Sequence, residues 1–182
     1  MAIKIPKRAS AMIDILKGDI CTLKGAQALL NSANASLLAG SGVCGAIHKA
    51  AGRELERYCK PYAPLKVSQA LISPSFNLKN AEFIIHVLSP KISDANANDL
   101  LAKSYENVLS LCKERNIKSL GLCSLGTGKH GFSAQIANKI ALETCINFIK
   151  DYDMDLCFVC FDERCFKAYK NHLAFIRKQS AF

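Results

Sequence analysis

The sequence predicts an α/β fold in which a mostly parallel sheet is covered by helices on both faces. Segments with strand character alternate along the chain with segments of helical periodicity. Two glycine-rich segments each lie between a strand candidate and a helix candidate. The chain has 182 residues, the size of one compact domain. We therefore expect a single domain over residues 11–182, preceded by a short basic tail over residues 1–10.

The strand candidates are short apolar segments that end at prolines, glycines or small polar residues. The first alternates weakly, the second ends in small polar residues, and the third and fourth are each stopped by a proline. The fifth leads into a glycine-rich segment, and the sixth precedes the last helix. In chain order they cover residues 11–16, 28–34, 69–74, 82–90, 119–125 and 155–161.

The helix candidates follow from apolar residues spaced three and four apart. This stripe is clear over 98–116 and again over 133–152. Residues 163–178 form the closing helix, and the segment 45–59 is rich in Ala and other helix formers. No linker, repeat or low-complexity segment interrupts the order, which agrees with a single domain.

Charge and cysteine content restrict the class of protein. The 24 Lys and Arg against 15 Asp and Glu give a formal charge of +9, which favours an anionic ligand or partner. Nine cysteines and no secretory signal favour a reducing cytoplasm over a disulfide framework. No apolar run approaches the ~18–20 residues of a membrane span, so we expect no membrane association.

Cys157 and Cys160 form a C-x-x-C pair, for which zinc has to be considered. They lie in an apolar strand, where residues three apart face opposite sides of the sheet. No second C-x-x-C pair is present in the sequence. We therefore expect buried thiols at these positions, and neither a metal nor another cofactor.

Two glycine-rich loops carry the functional argument. The first loop spans residues 34–45, the second loop spans residues 124–132, and each leads into a helix. Glycine lets backbone N–H groups approach a ligand closely, and a helix N-terminus behind them favours phosphate. Ligands of parallel sheets bind beyond the carboxyl ends of the strands, where both loops are expected. One such loop is also explained by a tight turn, whereas two at one edge indicate a diphosphate held from both sides.

Two other phosphate motifs fit less well. A Walker A loop would use the spacing of Gly121 and Gly126, but Thr127 stands where its lysine is required. A dinucleotide-binding fingerprint directly follows the first strand, and Gly18 does not continue into one. Residues 40–45 have the spacing of that fingerprint, but they follow the second strand.

The chain resembles the macro domain family in six segments of matching order and spacing. These are LKGDI (16–20), ALLNSAN (28–34), GSGVCGAIHKAAG (40–52), FIIHVLSP (83–90), LGTGKHGF (125–132) and FVCFDE (158–163). Together they cover nearly the whole chain. The resemblance implies a three-layer α/β/α sandwich around a mixed, mostly parallel sheet. It also implies that the ligand is ADP-ribose, either free or attached to proteins.

The resemblance further assigns positions in the ligand site. Asp19 would accept the adenine amino group with the backbone of Ile20 beside it, and Phe161 would stack on adenine. Asn34 would bind the distal ribose. Residues of the two loops would wrap the diphosphate and the distal ribose. These are Gly40, Ser41, Gly42, Val43, Cys44, Ser124, Gly126, Thr127, Gly128, Lys129 and His130. For catalysis the resemblance points to Asn34, Gly42 and Cys44.

The residue types alone also allow plainer roles. Asp19 and Asn34 are ordinary turn residues at the ends of strands. Phe161 is as well explained by packing in the core. His130 is as well explained as an exposed loop histidine.

Three departures from the family pattern bear on activity. Many hydrolytic members have an Asp where Cys44 stands, although the G-x-G-V-C loop is similar to that of alphavirus macro domains, which belong to a hydrolytic group. His130 stands where the family usually has an aromatic residue, so it would stack on the distal ribose or contact phosphate as a cation. Gly126 stands where the family commonly has Ser or Ala.

The resemblance implies hydrolysis of mono-ADP-ribose from acidic side chains, or of acetyl from O-acetyl-ADP-ribose. The alternative is a reader that binds ADP-ribose or ADP-ribosylated proteins without turnover, which Cys44 favours. A weaker third interpretation, binding of poly(ADP-ribose) or RNA, follows from the charge of +9.

Overall fold

The computed structural model describes residues 2–5 and 12–179, and the statements below refer to these residues. Part of the predicted tail, residues 6–10, lies outside them, as do Met1, Ala11 and residues 180–182. Within the predicted tail, Ile3–Lys4 forms a short strand, which the sequence did not indicate.

Eight strands and five helices lie in the described residues. The strands are β1 (Ile3–Lys4), β2 (Ile13–Lys17), β3 (Leu23–Lys24), β4 (Ala28–Ser32), β5 (Ala70–Pro74), β6 (Phe83–Val87), β7 (Ser119–Leu122) and β8 (Asp155–Cys160). The helices are α1 (Gly42–Ala51), α2 (Arg53–Cys59), α3 (Ala97–Glu114), α4 (Ala134–Asp151) and α5 (Glu163–Gln179). Single turns of 3-10 helix lie at Ile20–Thr22 and Lys60–Tyr62. The predicted alternation of strands and helices is confirmed.

Six of the strands form one mixed sheet, in the order β2-β8-β7-β4-β6-β5. Neighbouring strands are parallel except β5 and β6, which pair antiparallel. Helices α3, α4 and α5 pack in sequence against one another, and α1 and α2 form a second group that contacts β4 and β5. The central strands β4 and β8 are buried almost throughout, as expected for a sheet with both faces covered. The predicted α/β sandwich with a mostly parallel mixed sheet is confirmed.

Two local features differ from the prediction. The helix expected over 45–59 is split into α1 and α2 by Gly52, whose φ is 84°. A glycine in this conformation ends a helix at low cost, and its N–H still reaches the carbonyl oxygen of His48 at 2.9 Å. Strands β1 and β3 form a separate two-stranded parallel sheet. Two residues are too few to give a periodic pattern in the sequence.

The cysteines pack mainly as small apolar side chains. All nine lie in the described residues, where they are free thiols, and only Cys21 and Cys165 are partly exposed. Cys157 and Cys160 are both buried within β8. Burial raises the pKa of the Cys157 thiol to about 12. The predicted buried thiols in this strand are confirmed.

Candidate functional site

Three loops meet at the carboxyl end of β4. This strand lies between β7 and β6 and runs parallel to both, so the segments that follow the three strands leave the sheet at one edge. The first loop follows β4 and leads into α1, and the second loop follows β7 and leads into α4. The segment 88–96 follows β6 on the other side of β4. The two glycine-rich loops are therefore neighbours, as predicted.

Asn34 closes the first loop with its own side chain. Its Nδ2 donates to the carbonyl oxygen of Leu38 at 2.8 Å. Its Oδ1 accepts from Ser36 Oγ at 2.7 Å and from the N–H of Leu38 at 3.3 Å. An amide group has two N–H donors, so one N–H remains for a ligand after these contacts. The residue therefore has the structural role of a turn asparagine and keeps a single donor in addition.

The glycines of the first loop allow the chain to fold back tightly onto the start of α1. A Cβ at Gly45 would overlap the carbonyl oxygen of Gly40, so a side chain is excluded there. Gly42, the first residue of α1, has a φ of 61°, which favours glycine. The N-cap Ser41 makes no side-chain hydrogen bond to the helix. The first turn of α1 thus keeps backbone N–H groups for an anion.

Cys44 lies behind the first loop, not on its outer surface. Only 4% of the residue is exposed. Its thiol lies 3.6 Å from the carbonyl oxygen of Leu38, to which it donates, and 3.9 Å from Asn31 Nδ2. Burial raises the pKa of the Cys44 thiol. The group is therefore a protonated thiol at neutral pH, and a direct part in catalysis stays a prediction.

The second loop is fixed at its base and exposed at its tip. Gly126 has a φ of 77°, and its carbonyl oxygen accepts from the N–H of Phe132 at 3.1 Å. Residues 127–129 are exposed, whereas Phe132 is buried. Near the base, Ser124 Oγ is 3.4 Å from the hydroxyl of Tyr169, which donates to it. The tip of the second loop is therefore open to solvent at the same edge as the first loop.

His130 ties the second loop to the segment after β6. Its carbonyl oxygen accepts from the N–H of Ile92 at 2.8 Å. Its ring Nδ1 lies 2.9 Å from Ser89 Oγ and 3.0 Å from the carbonyl oxygen of Pro90. The residue is partly exposed. These contacts fix His130 in place. The alternative of an exposed loop histidine without such contacts does not describe it.

Asp19 and Phe161 lie at the far end of the same edge. Strands β2 and β8 are parallel, with Lys17 opposite Cys160, so the residues that follow them are neighbours. Asp19 Oδ1 accepts from the N–H of Cys21 at 2.9 Å, which caps the 3-10 turn that begins at Ile20. The side chain of Ile20 is buried. Asp19 therefore has a capping role, and the Cys21 thiol also contacts its carboxylate. A carboxylate accepts about four hydrogen bonds, so acceptor capacity remains for a ligand.

Phe161 is 83% exposed. The alternative that placed this side chain in the core is wrong, because the strand ends at Cys160 and the ring lies beyond it. An aromatic side chain exposed at the end of this strand offers a face on which the flat ring of a ligand could stack.

The strand order sets the length of ligand that this edge accepts. Strands β2 and β8 lead to the carboxylate and the aromatic ring, and β7 and β4 lead to the two glycine-rich loops. From β2 to β4 there are three strand spacings, about 14 Å in total. The edge therefore suits an extended ligand with a flat ring at one end, phosphates toward the middle and a polar group at Asn34.

A buried polar cluster supports the first loop from below. His86 Nδ1 accepts from Asn31 Nδ2 at 3.0 Å, and its Nε2 lies 3.0 Å from Ser73 Oγ. Burial, with a smaller effect of nearby His48, lowers the pKa of His86 to about 3. The ring is therefore neutral at physiological pH and has a structural role.

Two residues that hold the loops in place were not predicted from the sequence. Glu56 on α2 accepts from the N–H of Ala39 at 3.0 Å, and its Oε1 lies 3.6 Å from His48 Nδ1. Tyr105 on α3 accepts from the N–H of Leu125 at 3.0 Å. Glu56 has the pattern of a solvated helix residue and Tyr105 that of a core residue. Neither pattern points to a ligand loop, so no signal in the sequence could have identified them.

Within residues 2–5 and 12–179, no three His, Cys, Asp or Glu side chains are grouped in a way that would hold a metal ion. In the same part of the chain, no helix is both long and apolar enough to cross a membrane.

Comparison with known proteins gives a consistent result. The family model described as Macro domain matches residues 30–141. A macro domain-containing protein of Ralstonia nicotianae is 38% identical over 160 residues, which cover 87% of this chain and 92% of that protein. A Salmonella newport protein named O-acetyl-ADP-ribose deacetylase is 33% identical over 168 residues, which cover 88% and 93%. A solved structure of a mutant Oceanobacillus iheyensis macrodomain with ADPR has a TM-score of 0.88 at 33% identity, covering 93% of this chain and 96% of that one.

Proposed function

The chain belongs to the macro domain family, and on this premise we propose that it binds ADP-ribose at the edge formed by its two glycine-rich loops and hydrolyses mono-ADP-ribose from acidic side chains of proteins. O-acetyl-ADP-ribose is a second proposed substrate, in line with the name of the Salmonella relative. The observation that carries the proposal is that both loops meet around the end of β4, at the same edge of the sheet as the exposed Phe161.

The proposed binding mode uses each part of the edge for one part of the ligand. Adenine stacks on Phe161, and its amino group donates to the carboxylate of Asp19. The diphosphate receives N–H groups from the first turn of α1 and from the second loop, residues 126–130. The distal ribose accepts the remaining N–H of Asn34.

The proposed hydrolysis depends on positioning and not on a covalent intermediate. Water adds to the anomeric carbon of the distal ribose, and the bond from that carbon to the carboxylate oxygen of the target breaks. Asn34 orients the ribose, and N–H groups of the loops stabilise the charge that develops. With O-acetyl-ADP-ribose, water adds to the acetyl carbonyl carbon, and acetate and ADP-ribose are released.

A reader without turnover is the second candidate, and the burial of Cys44 favours it. At position 44 this chain has a buried, protonated thiol, and it lacks the carboxylate that would activate water there. Binding of poly(ADP-ribose) or RNA is the third candidate and rests on the charge of +9. We also propose a reducing, cytoplasmic location because of the nine free thiols.

Incubation with an auto-mono-ADP-ribosylated protein separates these candidates. A hydrolase removes the label in proportion to time and enzyme concentration. A reader binds ADP-ribose in calorimetry and leaves the label in place. A nucleic-acid binder responds to single-stranded RNA with a steep dependence on salt, and calorimetry over a salt series measures that dependence.

A further inference from the structure

The ring of His130 lies across the end of β4. The second loop leaves from β7, yet His130 contacts Ser89 and Pro90, which follow β6. Because β4 lies between these two strands, the contacts bring the ring over the strand from which the first loop starts. The Ile92–His130 backbone hydrogen bond, at 2.8 Å, fixes the residue in this place.

The contact with Pro90 determines which ring nitrogen carries the proton. The carbonyl oxygen of Pro90, 3.0 Å from Nδ1, only accepts hydrogen bonds, whereas the hydroxyl of Ser89, 2.9 Å from Nδ1, can donate or accept. Both contacts are satisfied together only when Nδ1 carries the proton. The neutral ring is therefore the Nδ1–H tautomer, with a lone pair on Nε2. Within residues 2–5 and 12–179, no protein group pairs with Nε2, and the side chain is partly exposed.

No other side chain of the two loops offers a comparable proton acceptor. Their titratable residues are Cys44, Lys129 and His130. The Cys44 thiol is buried, donates to Leu38 and has a raised pKa. Lys129 supplies donors only. His130 alone combines an accessible lone pair with a fixed ring.

We propose that His130 is the general base of hydrolysis, an inference that rests on the proposed function of the chain. Nε2 removes a proton from the attacking water while the water oxygen bonds to the anomeric carbon of the distal ribose. The bond between that carbon and the target carboxylate breaks, and its electron pair leaves with the carboxylate. The imidazolium then releases its proton to solvent, and Nδ1–H stays bonded to Pro90 throughout.

His130 thus has the role of the carboxylate that is absent at Cys44. Ser89 and Pro90 are positioning residues, because they hold the ring in the orientation that leaves Nε2 available.

Replacement of the ring nitrogens tests the proposal. His130→Phe keeps an aromatic ring, so ADP-ribose affinity measured by calorimetry should stay within about five-fold. Its rate of label release from an auto-mono-ADP-ribosylated protein should fall by about 100-fold or more, the usual effect of losing a general base. His172→Phe on α5 is the matched control and should release label at the wild-type rate.

Chemical rescue separates a base from a residue that only shapes the loop. His130→Ala should lose label release, and added imidazole should restore it in proportion to concentration. A His130→Phe variant with the wild-type rate would overturn this inference and leave the proposed hydrolysis intact. An unrescued His130→Ala whose ADP-ribose affinity falls in parallel with its rate would also overturn it. A wild-type protein that binds ADP-ribose and releases no label would overturn both proposals.

Discussion

The hydroxyl of Tyr105 accepts a hydrogen bond from the backbone N–H of Leu125 at 3.0 Å. Tyr105 belongs to α3, and Leu125 lies at the start of the second loop; both residues are fully buried. The same hydroxyl lies 3.4 Å from the carbonyl oxygen of Cys123, to which it donates. The position of the second loop is therefore set from within the core.

Tyr105→Phe should destabilise the fold and weaken ligand binding together. The change leaves the buried N–H of Leu125 without a partner, which costs about 1–3 kcal/mol of unfolding free energy. Urea denaturation measures this loss, and calorimetry should show weaker ADP-ribose binding. Tyr152→Phe is the control, since its hydroxyl contacts Ile117, away from the loops, and it should leave the ADP-ribose Kd unchanged. Unaltered binding by Tyr105→Phe would contradict the idea that the core sets the loop.

Asp19→Asn separates the two roles of this side chain. The amide oxygen still accepts from the N–H of Cys21, so the melting temperature should stay close to that of the wild type. The negative charge and the second acceptor are lost, so ADP-ribose binding should weaken by about 1.5–3 kcal/mol. Asp19→Ala should lose the cap as well. Unchanged binding by Asp19→Asn, measured by calorimetry, would leave Asp19 with its capping role alone.

Phe161→Ala should reduce affinity without destabilising the fold. The side chain is 83% exposed, so its removal leaves no cavity. Loss of stacking on the adenine ring should weaken ADP-ribose binding by about 1–3 kcal/mol. Phe175→Ala removes another exposed phenylalanine, on α5, and should bind as the wild type does. Equal affinities of the two variants would rule out stacking at Phe161.

Asn34→Ala should affect the reaction rate more than ADP-ribose affinity, because only one N–H remains for the ligand. Affinity is expected to stay within a few-fold while label release is largely lost. Ser36→Ala is the control, since it removes the contact to Asn34 Oδ1 and leaves the ligand donor in place. A parallel loss of affinity and rate in Asn34→Ala would mean that Asn34 acts through the shape of the loop.

His86 should make the fold sensitive to acid. Its pKa is lowered from 6.5 to about 3 in the folded chain, so below pH 6.5 the unfolded chain takes up a proton that the folded chain does not. This contribution to stability is fully present above pH 6.5 and is lost as the pH falls toward 3. At pH 5 the loss is about 2 kcal/mol. Burial lowers the pKa of His48 as well, which adds in the same direction.

Melting temperatures from pH 7.5 to 4.5 measure this effect. His86→Gln should lower stability at pH 7.5 and give a smaller decrease toward pH 4.5 than the wild type does. An equal decrease in both proteins would place the acid sensitivity elsewhere.

The order of elements is predictable because periodicity acts locally. A long helix such as α3 repeats its apolar stripe several times, and β4 is a run of apolar residues bounded by polar ones. The strands β1 and β3 depend on each other across about 20 residues of chain and have no such repeat. Gly52 could have been identified as a helix end, since a glycine after an alanine-rich stretch is a common stop signal.

For the site, the sequence predicted the two loops and their place at one edge, but not the contacts that hold them. Glycines and helix starts indicated an anion site, and strand order placed both loops at one edge. The tautomer of His130 depends on Pro90, and the position of Leu125 depends on Tyr105. These partners come from segments far apart in the chain, and their residue types are ordinary for their own elements. Such contacts arise from tertiary packing, which no local pattern encodes.

The position of β8 has a consequence for the timing of folding. Strand β2, the first in the main sheet, pairs in that sheet only with β8, the last, with Lys17 opposite Cys160. Contacts between residues so distant in sequence are slow to form, because a long loop must close first. A nascent chain on the ribosome can assemble β4, β6 and β7 before residue 160 emerges, and with them the proposed phosphate end of the site. The proposed adenine end is completed only when the last strand inserts.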